Sequence, residues 1–206
     1  MKRSPQLLET RAPSCPEGVV VVMHGGGTRR GNPMVSPAQL SVIRMIPIAR
    51  RIARTGDGRL GVFRLLNSHR GWDRTHTPVM DVRWALARIQ ERYADVPICL
   101  VGHSLGGRAA LLAGGEPAVR GVVALNAWVY PTDGADLRGR RVLLMHGTKD
   151  RIASLRSAAA VAERLSITTE VRFVTVEGGK HAMLRHGRRF EQAASDFAAG
   201  TLLGSG

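Results

Sequence analysis

The chain is short of several things, and each shortage removes a class of function. Of its 206 residues only Cys15 and Cys99 are cysteines. That is too few for a disulfide framework or a cysteine-built metal site. Cys99 lies in the apolar run from Val96 to Val101 and reads as a small buried hydrophobe. No apolar run approaches the ~18 residues that a membrane-spanning helix needs. Met1-Lys2-Arg3-Ser4-Pro5 has no apolar stretch behind it, as a secretory signal would. The expected location is therefore cytoplasmic, with no membrane span. Aromatic residues make up 4% of the chain, thin provision for a surface that stacks nucleic-acid bases. Lysine is scarce too: only Lys2, Lys149 and Lys180 occur, so the formal charge of +14 is carried almost wholly by arginine. Such a charge suits anionic partners. The arginines are scattered, however, and the pairs at 29–30, 50–51, 140–141 and 188–189 never extend into a long basic run. A general arginine bias is the preferred reading, and no nucleic-acid partner is expected.

What is present reads as one globular unit. The length fits one domain with a sizeable core, and 44% hydrophobic with 22% charged residues is ordinary for such a domain. Residues 1–17 are polar and Pro-rich, a leader with room for a short strand, and residues 18–206 form the expected domain. Gly18 to Met23 is a continuous apolar, β-branched run, the mark of a strand covered on both faces. Leu60–Leu66, Ile98–Val101, Val122–Asn126, Val142–Met145 and Val171–Val176 read as further strands. Helical spacing occupies 37–54, where Pro47 predicts a kink, then 78–93, 105–114, 154–165 and 187–199. Strands alternate with helices, which predicts a three-layer α/β/α sandwich around a doubly wound, mostly parallel sheet of about six strands. Working residues then belong at the carboxyl ends of the strands.

Four motifs fall at such ends. Gly102-His103-Ser104-Leu105-Gly106 has the G-x-S-x-G spacing of a sharp strand-to-helix turn. It raises a serine hydroxyl above the sheet and aims the Leu105 N–H at a developing oxyanion. His103 is expected to point away from the site. His24-Gly25-Gly26-Gly27 ends the first clear strand. Its glycines let backbone N–H groups approach a substrate oxygen, and either Gly25 or Gly26 can supply the second donor. Asp150 follows the fifth of these strands in Met145-His146-Gly147-Thr148-Lys149-Asp150. Asp133 and Asp136 are its rivals, with Asp133 the runner-up. His181 follows the sixth in Glu177-Gly178-Gly179-Lys180-His181. The order Ser104, Asp150, His181 is that of an acyl-transfer triad on this kind of sheet.

Over residues ~18–200 the chain resembles the α/β-hydrolase superfamily, especially small lidless bacterial serine esterases and dienelactone-hydrolase-like members. The resemblance rests on HGGG at 24–27, GHSLGG at 102–107, HGTKD at 146–150 and GGKH at 178–181. It departs from dienelactone hydrolase proper, which has a cysteine where this chain has Ser104. It implies a catalytic triad of Ser104, Asp150 and His181, and an oxyanion hole of Leu105 with Gly25 or Gly26. The implied reaction is hydrolysis of small-molecule carboxylic esters through an acyl-enzyme, with no cofactor and no metal. Thioesterase, acyltransferase and peptidase chemistry use the same triad, and a catalytically inactive basic binding module is the non-enzyme alternative. The segment 128–140 is too short for a helical cap, so the site is expected to be open. Arg29, Trp72, Asn126 and Trp128 are the expected substrate-binding residues, with Asn67, Asp73 and Tyr130 as further candidates at strand ends.

Overall fold

The computed structural model of the chain describes residues 4–27 and 35–204. Its elements in order are β1 (Gln6–Arg11), β2 (Gly18–Met23), α1 (Leu40–Ile43), α2 (Met45–Thr55), β3 (Leu60–Leu66), α3 (Thr77–Arg92), β4 (Ile98–His103), α4 (Leu105–Ala113), β5 (Val119–Leu125), β6 (Arg141–Gly147), α5 (Leu155–Ser166), β7 (Glu170–Val176) and α6 (Gly187–Leu202). The seven strands lie in the order β1-β3-β2-β4-β5-β6-β7. All neighbours pair in parallel except β1, which runs antiparallel along β3. The six strands legible in the sequence are thus joined by a seventh from the leader.

The parallel strands have continuous apolar runs because helices cover both faces. On β2, Val19, Val21 and Met23 pack with residues of α3, α4 and α5. Val20 and Val22 point the other way, into the layer of α2 and α6. The same alternation splits Ile98 and Leu100 from Cys99 and Val101 on β4. Phe190 of α6 is fully enclosed, a burial worth ~1.5–3 kcal/mol. β1 is different: its Gln6-Leu7-Leu8-Glu9-Thr10-Arg11 pattern leaves it half-exposed, as suits an edge strand.

The helical region at 40–55 is broken at Arg44 rather than at Pro47. Pro47 falls in the first turn of α2, where the missing N–H has no intrahelical acceptor to lose. Residues 126–140 between β5 and β6 contain no helix, so no helical cap is inserted between these two strands. Among the described residues no helix is long and apolar enough to cross a membrane.

Candidate active site

Ser104 sits between β4 and α4 with φ 57° and ψ −119°, a backbone conformation that costs a non-glycine residue ~1–3 kcal/mol. The flanking glycines make the turn sterically possible. A Cβ on Gly102 would overlap the Gly106 backbone, and one on Gly106 would lie 2.6 Å from the His24 carbonyl oxygen. The chain therefore reverses tightly and leaves Ser104 at the end of β4, with Leu105 as the first residue of α4.

Two loops bring their side chains to this serine. The loop after β7 carries His181, whose Nε2 lies 3.0 Å from Ser104 Oγ. The loop after β6 carries Asp150, whose Oδ2 lies 2.8 Å from His181 Nδ1. The other oxygen, Oδ1, accepts the N–H groups of Ile152 and Ala153 at 2.8 and 2.9 Å. Burial alone would raise the Asp150 pKa. The hydrogen bonds from His181 and the two backbone donors outweigh it and hold the carboxyl below its ordinary value. His146 packs alongside, fully buried and donating Nε2–H to the Ala153 carbonyl.

The two loops are fastened to each other. Thr148 N–H reaches the Val176 carbonyl, Lys149 N–H the Gly179 carbonyl, and Gly178 N–H the Thr148 hydroxyl. Gly147 and Gly179 pass so closely that a Cβ on Gly147 would overlap the Gly179 backbone. At the end of β2, His24 accepts the Asn67 N–H through Nε2 at 3.2 Å. Burial lowers its pKa.

Ser104 and His181 open into a cavity of about 520 Å³ walled by Trp72 and Trp128 and bordered by Gly26, Leu105, Arg44 and Ile152. That is within the size range of small-molecule sites.

Residues 82–197, more than half of the chain, match the sequence model of the alpha/beta hydrolase family. The chain belongs to the alpha/beta hydrolase family. No curated protein sequence matches this hydrolase. Solved structures resemble it across nearly its whole length. An alpha-beta serine hydrolase homologue from Coxiella burnetii superposes with a TM-score of 0.68 at 17% identity, covering 93% of this chain and 90% of its own. A serine hydrolase without a lid from Xanthomonas campestris gives 0.68 at 15% identity, covering 94% and 93%. Est1E from Butyrivibrio proteoclasticus, solved with ferulic acid, gives 0.68 at 14% identity, covering 97% and 96%. At such identities the likeness speaks for the fold.

The hydrolase places its other expected residues unevenly. Trp72 and Trp128 line the cavity, and Arg29 lies outside the described residues. Asn126 does not border the cavity: it is fully buried and its side chain is taken up by the loops. Its Nδ2 donates to the Lys180 and His181 carbonyls, and its Oδ1 accepts the Gly147 N–H. Gly26 borders the cavity, whereas Gly25 packs its Cα against Ser104, where a Cβ would come within 2.8 Å of the serine Cβ. Asp73 serves α3, accepting the Thr77 N–H at 2.8 Å. His103 does not point away. Its Nε2–H donates to the His181 carbonyl at 2.9 Å and its ring stands 4.9 Å from the His181 ring. Burial, the largest cause, pushes its pKa down to about 3.

The rival carboxylates are engaged by arginines. Asp136 pairs with Arg138 at the surface. Asp133 holds Arg108, with Oδ1 at 2.9 Å from Nη2 and Oδ2 at 2.7 Å from Nε. Sequence reasoning missed Arg108, although it is the one charge in the otherwise apolar α4 and so carried a visible signal. Its guanidinium lies 4.2 Å from the Trp72 ring centre, 4.7 Å from Tyr130 and 5.6 Å from Trp128. It thus pins both tryptophan walls to the helix that begins at the serine. Arg44 and Ile152 were missed too, and nothing in their local pattern set them apart.

Proposed function

We propose that this hydrolase, acting as one domain over residues 18–206, cleaves small carboxylic esters with Ser104 as nucleophile. The observation that carries the reading is the continuous hydrogen-bonded line Asp150–His181–Ser104, at 2.8 and 3.0 Å. With Nδ1–H committed to Asp150, the Nε2 lone pair faces the serine hydroxyl. His181 takes that proton as Oγ attacks the ester carbonyl, and returns it to the leaving alcohol. Asp150 holds the tautomer and balances the imidazolium. The Leu105 N–H, unpaired at the start of α4 and favoured by the helix dipole, receives the oxyanion. Gly26 rather than Gly25 is the second donor, because only Gly26 borders the cavity. Water then attacks the acyl-enzyme by the same route.

The test is turnover of p-nitrophenyl acetate by Ser104→Ala and His181→Ala. Each should lose at least about a thousandfold in kcat. Turnover that survives in Ser104→Ala rules this mechanism out.

A further inference from the structure

Among the described residues bordering the cavity, Arg44 is the only permanent charge. Among the described residues no carboxylate borders the cavity to balance it. Arg44 sits at the break between α1 and α2. Its Nε is buried and has no hydrogen-bond partner among the described residues, and it enters no ion pair there. A buried donor of this kind is costly to leave unsatisfied. Close by, Gln39 Oε1 is likewise buried without a partner, while its Nε2 donates to Ser41 Oγ. Gln39 abuts Gly26, where an added Cβ would meet the Gln39 amide at 2.6 Å. Arg44, half-buried as a whole, borders the cavity together with Ser41 and Gly26. Burial lowers the Arg44 pKa, in keeping with a desolvated guanidinium. Beyond Ile152 and His181 the cavity adjoins a groove bordered by Lys149, Arg151, Lys180 and Arg185 against the carboxylates Asp150 and Glu177, a basic excess that favours anions.

We propose that Arg44 is a specificity residue that binds a carboxylate on the substrate, so that this hydrolase prefers esters bearing a negative charge over neutral esters of the same shape. The proposal rests on the esterase reading of Ser104. A guanidinium meets a carboxylate through paired N–H donors, and the ligand would satisfy what the fold leaves unpaired. The charge can sit on the acyl side or on the alcohol side of the ester.

The experiment compares matched pairs on the whole protein. Mono-4-nitrophenyl adipate against 4-nitrophenyl hexanoate places the charge on the acyl side. 3-Acetoxybenzoate against its methyl ester places it on the alcohol side. One anionic member should be favoured in kcat/KM by about ten- to a hundredfold, carried by KM, as a charge-assisted hydrogen bond predicts. Arg44→Gln should abolish that preference and Arg44→Lys should retain part of it. A wild-type preference for neither anionic ester overturns the proposal. So does an Arg44→Gln variant that slows both members of a pair equally, since Arg44 would then serve the shared transition state. A separate arm titrates Ser104→Ala calorimetrically with monomethyl against dimethyl adipate, and with 3-hydroxybenzoate against its methyl ester. If no ester is turned over, the esterase reading fails, and this arm still decides whether Arg44 selects an anion. Equal binding of charged and neutral ligands there overturns it.

Discussion

Oδ1 of Asn126 accepts the backbone N–H of Gly147 at 2.8 Å. Its Nδ2 donates across to the Lys180 and His181 carbonyls at 3.1 and 3.2 Å. One amide thus ties the strand end that leads to Asp150 to the loop that carries His181. It does so from a positive-φ backbone, at 44°, which Asn adopts more readily than most residues.

Asn126→Ala should accordingly damage catalysis without touching substrate. It leaves the Gly147 N–H without its acceptor, while the His181 and Lys180 carbonyls keep the His103 ring and the Met183 N–H as donors, at ~1–3 kcal/mol of stability. We expect kcat to fall about ten- to a hundredfold, as a small misplacement of catalytic groups produces, with KM nearly unchanged. Denaturant melts and Michaelis–Menten kinetics on the folded variant check both. A KM effect that dominates kcat would return Asn126 to the substrate.

Arg108 and Asp133 are both nearly buried, at 7% and 10% side-chain exposure. Arg108→Met leaves the Asp133 carboxylate uncompensated and should cost ~3–5 kcal/mol. Adding Asp133→Asn should recover a large part, and chemical denaturation of the single and double variants measures it. The variants should also flatten the dependence of KM on acyl length, because Trp72 and Trp128 lose their common support. Arg108→Lys should not rescue this, having no planar face to lay against the rings.

Three histidines set the acid limit of stability. His24, His103 and His146 all have pKa values depressed chiefly by burial, that of His103 to about 3. The unfolded chain protonates these rings near pH ~6.5, while the folded one resists. The unfolded state therefore binds more protons below that value, and stability must fall as the pH drops from 6.5 towards 3. Above 6.5 their contribution is fully present. Asp150, also depressed, adds a loss that begins lower, near its unfolded value of about 3.9. Thermal melts from pH 8 to pH 4 should show the decline starting near 6.5, and His103→Gln, which keeps a donor for the His181 carbonyl, should make it shallower. A flat melting temperature between pH 7 and pH 4.5 contradicts this account.

How much could be read from the residues alone follows the range of each interaction. Val19–Met23 and Ile98–Val101 announced themselves because a strand buried on both faces is apolar without interruption, a local property. The turn around Ser104 was equally local, since Gly102 and Gly106 lie two residues either side. β1 was harder: its mixed pattern acquires meaning only through pairing with β3, more than fifty residues on. The place of Asn126 was harder to read because a residue at a strand end faces either a ligand or the neighbouring loops, and its partners at 180 and 181 are far along the chain. The Arg108 cluster draws on residues 72, 128, 130 and 133, and only the lone charge in α4 hinted at it.

The fastening of the two loops beyond β6 and β7 has a consequence for how this chain can vary in length. Thr148, Lys149 and Gly178 carry cross-loop bonding past the last residues of both strands, so the spacing of Asp150 and His181 is inherited from strand register. Inserting or deleting one residue between Gly147 and Asp150, or between Val176 and His181, would shift one partner against the other and part them. The exposed turn at Arg138 and Gly139, past Asp133 and the buried Leu137, carries no such obligation. Additions acquired over evolution, or introduced by design, are better accommodated there than on either loop that meets at the serine.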